Sequence, residues 1–108
     1  MGTITIKTIS TDELKRKMEQ REKIVVLNVL EPEGYQLGII KGSKKIPYTQ
    51  LEGRLKELDK KHEIITYCAG PICTASKMAA ELLASNGYNV RAYEGGIKEW
   101  KEAKLPIE

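Results

Sequence analysis

Two cysteines in one short segment, "CAGPIC" from Cys68 to Cys73, are the residues best suited to do chemistry. A thiol acts as a nucleophile, a metal ligand or half of a disulfide. Zinc needs about four ligands, and the chain offers two cysteines and one histidine, His62, so the metal reading is set aside. A nucleophile remains. The apolar run "EIITY" precedes Cys68, and the helical pattern "SKMAAELL" follows the segment. That order places Cys68 as the last residue of a strand, facing a helix N-terminus with unpaired N–H groups and a positive dipole end. Amides curled around a sulfur favour its thiolate. On this reading Cys68 alkylates faster than Cys73. A buried small residue at a strand end is the plainer alternative for Cys68. For Cys73 there are two readings, a resolving thiol for Cys68 or a residue filling the loop and pointing away from it. The C-x4-C spacing differs from the C-x-x-C of dithiol oxidoreductases.

The elements that must position this loop follow from apolar periodicity. "ISTDEL" opens a helix to about Gln20, with Ser10 and Glu13 at capping-box spacing and Ile9 and Leu14 at staple spacing. "KIVVLNVL" reads as a strand buried on both faces, broken by "EPEGY". A short extended piece lies around Ser43 to Ile46. Leu51, Leu55 and Leu58 form one helical stripe interrupted by Gly53. Met78, Ala79, Leu82 and Leu83 give a helix from about Ser76 to Asn86, with Gly87 as its C-cap. "NVRAY" is a further strand, and Ile97 and Trp100 share one side of a last helix. Strands alternating with helices imply right-handed crossovers and a mainly parallel α/β sheet. Functional loops in such sheets lie beyond the C-terminal strand ends, where "CAGPICTA" falls.

The 108 residues are expected to form one domain spanning 1–108. The net charge of +3 is mild, and aromatic residues are not interleaved with the lysine clusters Lys41/Lys44/Lys45 and Lys60/Lys61 as single-strand binders require. Nucleic acid is therefore not an expected partner. No apolar stretch is long enough to span a membrane, and the first residues lack the pattern of a secretory signal. The expectation is a cytoplasmic protein.

With these residues in place, the chain resembles a rhodanese-like domain over nearly its whole length. "VVLNVLEPEGYQLGIIKGSKKIPY" is similar to the family segment DVRexxEYxxGHIpgAinip, and "IITYCAGPICTASKMAAELLASNGYNVRAYEGGIKEWKEAKLPI" to its active-site strand, loop and helix with the closing GGxxxW…gLP signature. The resemblance implies a five-stranded, mainly parallel sheet flanked by helices on both faces. It implies a sulfurtransferase or sulfur carrier in which Cys68 becomes a persulfide, with no cofactor or metal. Ala69, Gly70, Pro71, Ile72, Cys73, Thr74, Ala75 and Ser76 would complete the active-site loop. The partners would be a small-molecule or protein persulfide sulfur donor and a thiol acceptor. Oligomeric state is open.

The departures from the family pattern are specific. Its active loop runs C-x4-R and then a small hydroxyl residue. Counted from Cys68, Cys73 stands at the arginine and Thr74 after it; aligned on the buried helix, Ala75 and Ser76 do, with a longer loop. The second register is preferred because the phase of a buried helix is hard to shift. Either way no guanidinium grips an oxyanion, Lys77 is the nearest cation in sequence, and a phosphatase loop is absent. Asn28, Leu30 and Ile39 replace the family's acid, arginine and histidine. Losing an acid and its arginine together orphans no charge. The alternative function is a non-catalytic rhodanese-like binding or redox-sensing module.

Overall fold

The computed structural model describes residues 5–70 and 73–108; Pro71 and Ile72 of the expected active-site loop lie outside the described residues. Strands β1 (Lys7–Thr8), β2 (Ile24–Asn28), β3 (Lys44–Lys45), β4 (Glu63–Tyr67) and β5 (Val90–Tyr93) form one sheet. Their spatial order is β1-β5-β4-β2-β3, with every pairing parallel. β4 is the central strand, so the residue after it emerges at the middle of the sheet's C-terminal edge.

The period of two along β4 decides which face each residue enters. Ile64 and Cys68 join one core, with Leu27, Val29, Leu51, Ala79, Ala80 and Leu83. Ile65 and Tyr67 join the other, with Leu14, Val26, Tyr93, Ile97 and Trp100. Helices α2 (Tyr48–Leu51) and α3 (Ala75–Ser85) therefore cover the first face, and α1 (Thr11–Glu19) and α4 (Gly96–Glu102) the second. Each fully buried Leu or Ile contributes about 2 kcal/mol of transfer free energy, and two apolar faces explain why β2 and β4 read as continuous apolar runs.

Local signals behave as expected at several points. Ser10 caps α1 by accepting from the Glu13 amide at 3.1 Å. The reciprocal half of the capping box is replaced by a tertiary contact: Glu13 binds Arg91 at 2.9 Å, and Arg91 also donates to Glu63 at 2.9 Å. One guanidinium on β5 thus ties α1 to β4.

Other expectations are corrected. The stripe Leu51–Leu55–Leu58 is not one helix; α2 gives way at once to a 3₁₀ segment, Glu52–Glu57, in which Arg54 leaves helical geometry at φ −122°. The glycine within it lowers the helical preference, and Arg54 is held by Gln50 and Glu57. Met78 is 43% exposed rather than in the apolar face of α3. Helix α3 begins at Ala75, and Cys68 follows β4 instead of ending it. The two-residue β1 has exposed residues and no apolar alternation, so only its pairing with β5 reveals it.

The family's Asp–Arg pair has a neutral replacement. Asn28 is fully buried, accepts from the Leu30 amide at 2.8 Å and donates to the Tyr67 hydroxyl at 3.1 Å. That hydroxyl also accepts from the Ile40 amide at 3.0 Å and lies 2.7 Å from Ser43 Oγ. Ser43 gives its proton to the Ile40 carbonyl at 2.6 Å, so Tyr67 donates to Ser43 and every member is satisfied. Burial raises the Tyr67 pKa, which keeps the phenol protonated.

Candidate active site

Helix α4 shapes the loop after β4 from below. The Ile97 amide donates to the Cys68 carbonyl at 2.9 Å, and the Lys98 amide to the Ala69 carbonyl at 2.9 Å. Such proximity depends on Gly96, whose φ is +62°. A Cβ there would lie 2.5 Å from the Cys68 carbonyl oxygen and 2.7 Å from the Gly70 nitrogen. A peptide's C=O and N–H point in opposite directions across a trans bond. With the Cys68 carbonyl held toward α4, the Ala69 N–H turns the other way, into the loop.

The Ala69 amide is among the groups that lower the Cys73 thiol pKa. The Cys73 amide binds the Gly70 carbonyl at 3.1 Å, and the Cys73 carbonyl lies 3.5 Å from Cys68 Sγ. Cys73 is half-buried and packs against the core that holds Cys68. Burial pushes its thiol pKa up, but a hydrogen bond from the Cys68 thiol and the Ala75 and Ala69 amides outweigh it, so the net direction is down. The Ala75 and Ala69 amides thus favour ionisation of Cys73.

Cys68 is only 1% exposed. Burial pushes its thiol up first, and its hydrogen bond to Cys73 does so again; the Ser76 hydroxyl and amide pull the other way without prevailing. Its Sγ–H also lies 3.5 Å from the Cys73 carbonyl. The Cys68 thiol is thus held toward its protonated form, and Cys73 is the more readily ionised of the two. This reverses two expectations. Burial raises the Cys68 thiol pKa rather than lowering it, and Cys73 packs against the core that holds Cys68 rather than standing clear of it. The physical reason is that Cys68 enters the dry core between β4 and α3, while the amides expected around it reach the sulfur nearer solvent.

The other loop residues are placed as follows. Ser76 is 2% exposed, its carbonyl accepts from Thr66 Oγ1 at 2.8 Å, and its polar groups face the Cys68 sulfur. Ala75 is half-buried at the start of α3. Thr74 is exposed at the N-cap, without a side-chain cap bond. Gly70 packs beside the Lys98 stem, where a Cβ would be 3.3 Å from Lys98 Cβ. Lys77 is exposed on α3. Lys98 thus adds a cation at the loop that no local pattern discloses, since it comes from the next βα unit. Among the described residues no three His, Cys, Asp or Glu side chains gather as metal ligands.

The model of the rhodanese-like domain family matches residues 10–103. The chain belongs to the rhodanese-like family. This rhodanese-like domain is 34% identical over 100 residues to the HTH-type transcriptional regulator Rv0324 of Mycobacterium tuberculosis, covering 93% of the chain and 44% of the regulator. It therefore spans less than half of that relative. It is 25% identical over 101 residues to thiosulfate sulfurtransferase GlpE of Vibrio cholerae, covering 93% and 92% of the two chains. Among solved structures, the BH2092 protein of Bacillus halodurans superposes with a TM-score of 0.87 at 31% identity, over 94% of this chain and 76% of the other. The all-parallel five-stranded sheet with helices on both faces is the architecture the resemblance implied. No helix of the described residues is long and apolar enough to cross a membrane.

Proposed function

We propose that this rhodanese-like domain is a sulfurtransferase or sulfur carrier, with Cys68 forming a persulfide that passes to a thiol acceptor. The observation that carries the reading is the place of Cys68. It follows the central strand, beneath the N-terminus of α3, with the Ser76 hydroxyl and amide directed at its sulfur and Cys73 ready to take its proton. As that proton moves to Cys73, the Cys68 sulfur attacks the sulfane sulfur of the donor. The donor S–S bond breaks, and sulfite or a thiolate leaves with the bonding pair. An acceptor thiolate then takes the outer sulfur, and Cys68 departs as thiolate. The step needs no cofactor.

With lysine rather than arginine beside the loop, an uncharged or persulfide donor suits the site better than thiosulfate. Both cysteines are free, as the chemistry requires, and a reducing compartment such as the cytoplasm keeps them so. Intact mass read immediately after the reduced protein meets a persulfide donor tests the reading: one sulfur is gained before any later step, and Cys68→Ser abolishes the gain. A gain that survives Cys68→Ser refutes it. The burial of Cys68 favours a second reading, a binding or redox-sensing module. Sulfur transfer to a thiol acceptor over many turnovers excludes that reading; uptake without transfer supports it.

A further inference from the structure

Cys73 is a second thiol placed against the first, and the persulfide step leaves it without a role beyond holding a proton. We infer that Cys73 resolves the Cys68 persulfide: its sulfur attacks Cys68 Sγ, closes a Cys68–Cys73 disulfide and expels hydrosulfide. This deepens the proposed function and rests on Cys68 as the sulfur-bearing residue. The balance is complete. The Cys73 thiolate and the Cys68 persulfide become one disulfide and HS⁻. The sulfane sulfur takes up two electrons and leaves as sulfide, and the two cysteines are oxidised. An external dithiol, small molecule or protein, then reduces the disulfide by exchange, so the cycle converts sulfane sulfur to sulfide at the dithiol's expense.

Three observations carry the inference. First, the Cys68 thiol donates to the Cys73 carbonyl at 3.5 Å, and Cys73 packs against the core that holds Cys68. The sulfur that the Cys73 backbone lies against is the one bonded to the Cys68 side chain, which becomes the inner sulfur of the persulfide. Attack there gives disulfide and sulfide, whereas attack on the outer atom would only move the sulfur along. Second, the Cys73 amide binds the Gly70 carbonyl at 3.1 Å, which holds residue 73 close to the start of the loop. Third, the Ala75 and Ala69 amides lower the Cys73 thiol pKa, and thiolate fraction sets the rate of attack. The half-buried position of Cys73 also leaves the disulfide open to an external dithiol at the sulfur nearer solvent, while Cys68 is 1% exposed.

The test uses the full chain, reduced, loaded with glutathione persulfide and desalted. Both cysteines fall between Lys61 and Lys77, so one tryptic peptide, residues 62–77, reports every product. The wild type is expected to yield that peptide two hydrogens lighter, with sulfide released beyond that from Cys73→Ser. Cys73→Ser is expected to hold one extra sulfur on Cys68, with a lifetime longer by on the order of tenfold or more. Its urea midpoint establishes that it is folded. A wild-type persulfide as long-lived as that of Cys73→Ser overturns the inference and leaves the proposed function standing. Sulfur found on Cys73 in Cys68→Ser, or no uptake by either wild type or Cys73→Ser, overturns the proposed function and the inference with it. Diamide oxidation of unloaded protein is a separate check: an internal disulfide supports the pairing, and persistent free thiols count against it.

Discussion

Replacing Gly96 with alanine tests how the fold sets the chemistry of the loop. The added Cβ meets three backbone atoms: the Cys68 oxygen at 2.5 Å, the Gly70 nitrogen at 2.7 Å and the Ala69 carbonyl carbon at 2.9 Å. None is the tip of a flexible side chain, so relief requires α4 and the loop to separate. A left-handed backbone at φ +62° costs a non-glycine residue about 1–2 kcal/mol. Separation also weakens the Ile97-to-Cys68 and Lys98-to-Ala69 hydrogen bonds, both 2.9 Å, each worth about 1 kcal/mol net. The expected loss is about 3–4 kcal/mol, a large share of a typical domain's 5–15 kcal/mol. With a urea slope of roughly 1.5–2 kcal/mol per molar, the midpoint falls by about 2 M. The same change frees the Cys68–Ala69 peptide, so the Ala69 N–H no longer aims at Cys73. Iodoacetamide labelling of Cys73 near neutral pH should slow accordingly. A midpoint within about 0.5 M of wild type, together with unchanged Cys73 labelling, would refute the account of α4 as the element that orients the loop.

Competitive alkylation at neutral pH followed by peptide mapping should label Cys73 before Cys68, and the Cys73 profile should inflect below an ordinary thiol's pKa, because its thiolate is favoured while burial keeps Cys68 protonated. Equal labelling would contradict that proton placement. Tyr67→Phe leaves the buried Asn28 amide and the Ile40 N–H without their acceptor, so urea melts should show a loss of about 2–4 kcal/mol; a loss under about 1 kcal/mol would mean water replaces the phenol. Ala75→Arg should lower KM for thiosulfate several-fold with little change in kcat, since it supplies an oxyanion fork at the start of α3; an unchanged KM would place the anion elsewhere.

Much of the architecture is written locally. The apolar runs of β2 and β4, the Ser10 cap, the Ile97–Trp100 pair and the strand–loop–helix order around Cys68 depend on near neighbours in the chain, and periodicity reports them directly. The 3₁₀ segment after α2 and the exposure of Met78 do not follow from periodicity, because tertiary packing decides which of several apolar residues the core accepts. Strand β1 was illegible for a related reason: two exposed residues carry no alternation, and only the open edge of β5 recruits them.

The sequence by itself determined that two thiols stand in one loop at the centre of a parallel sheet, without an arginine. Only the tertiary structure decided which thiol ionises more readily. That choice depends on α4, more than 20 residues further along, pulling two loop carbonyls outward and so turning the Ala69 amide inward onto Cys73. It depends as well on the pleat of β4, which drives Cys68 into the dry core under α3. Burial and amide direction are properties of the assembled layers, and residue spacing along one segment carries neither.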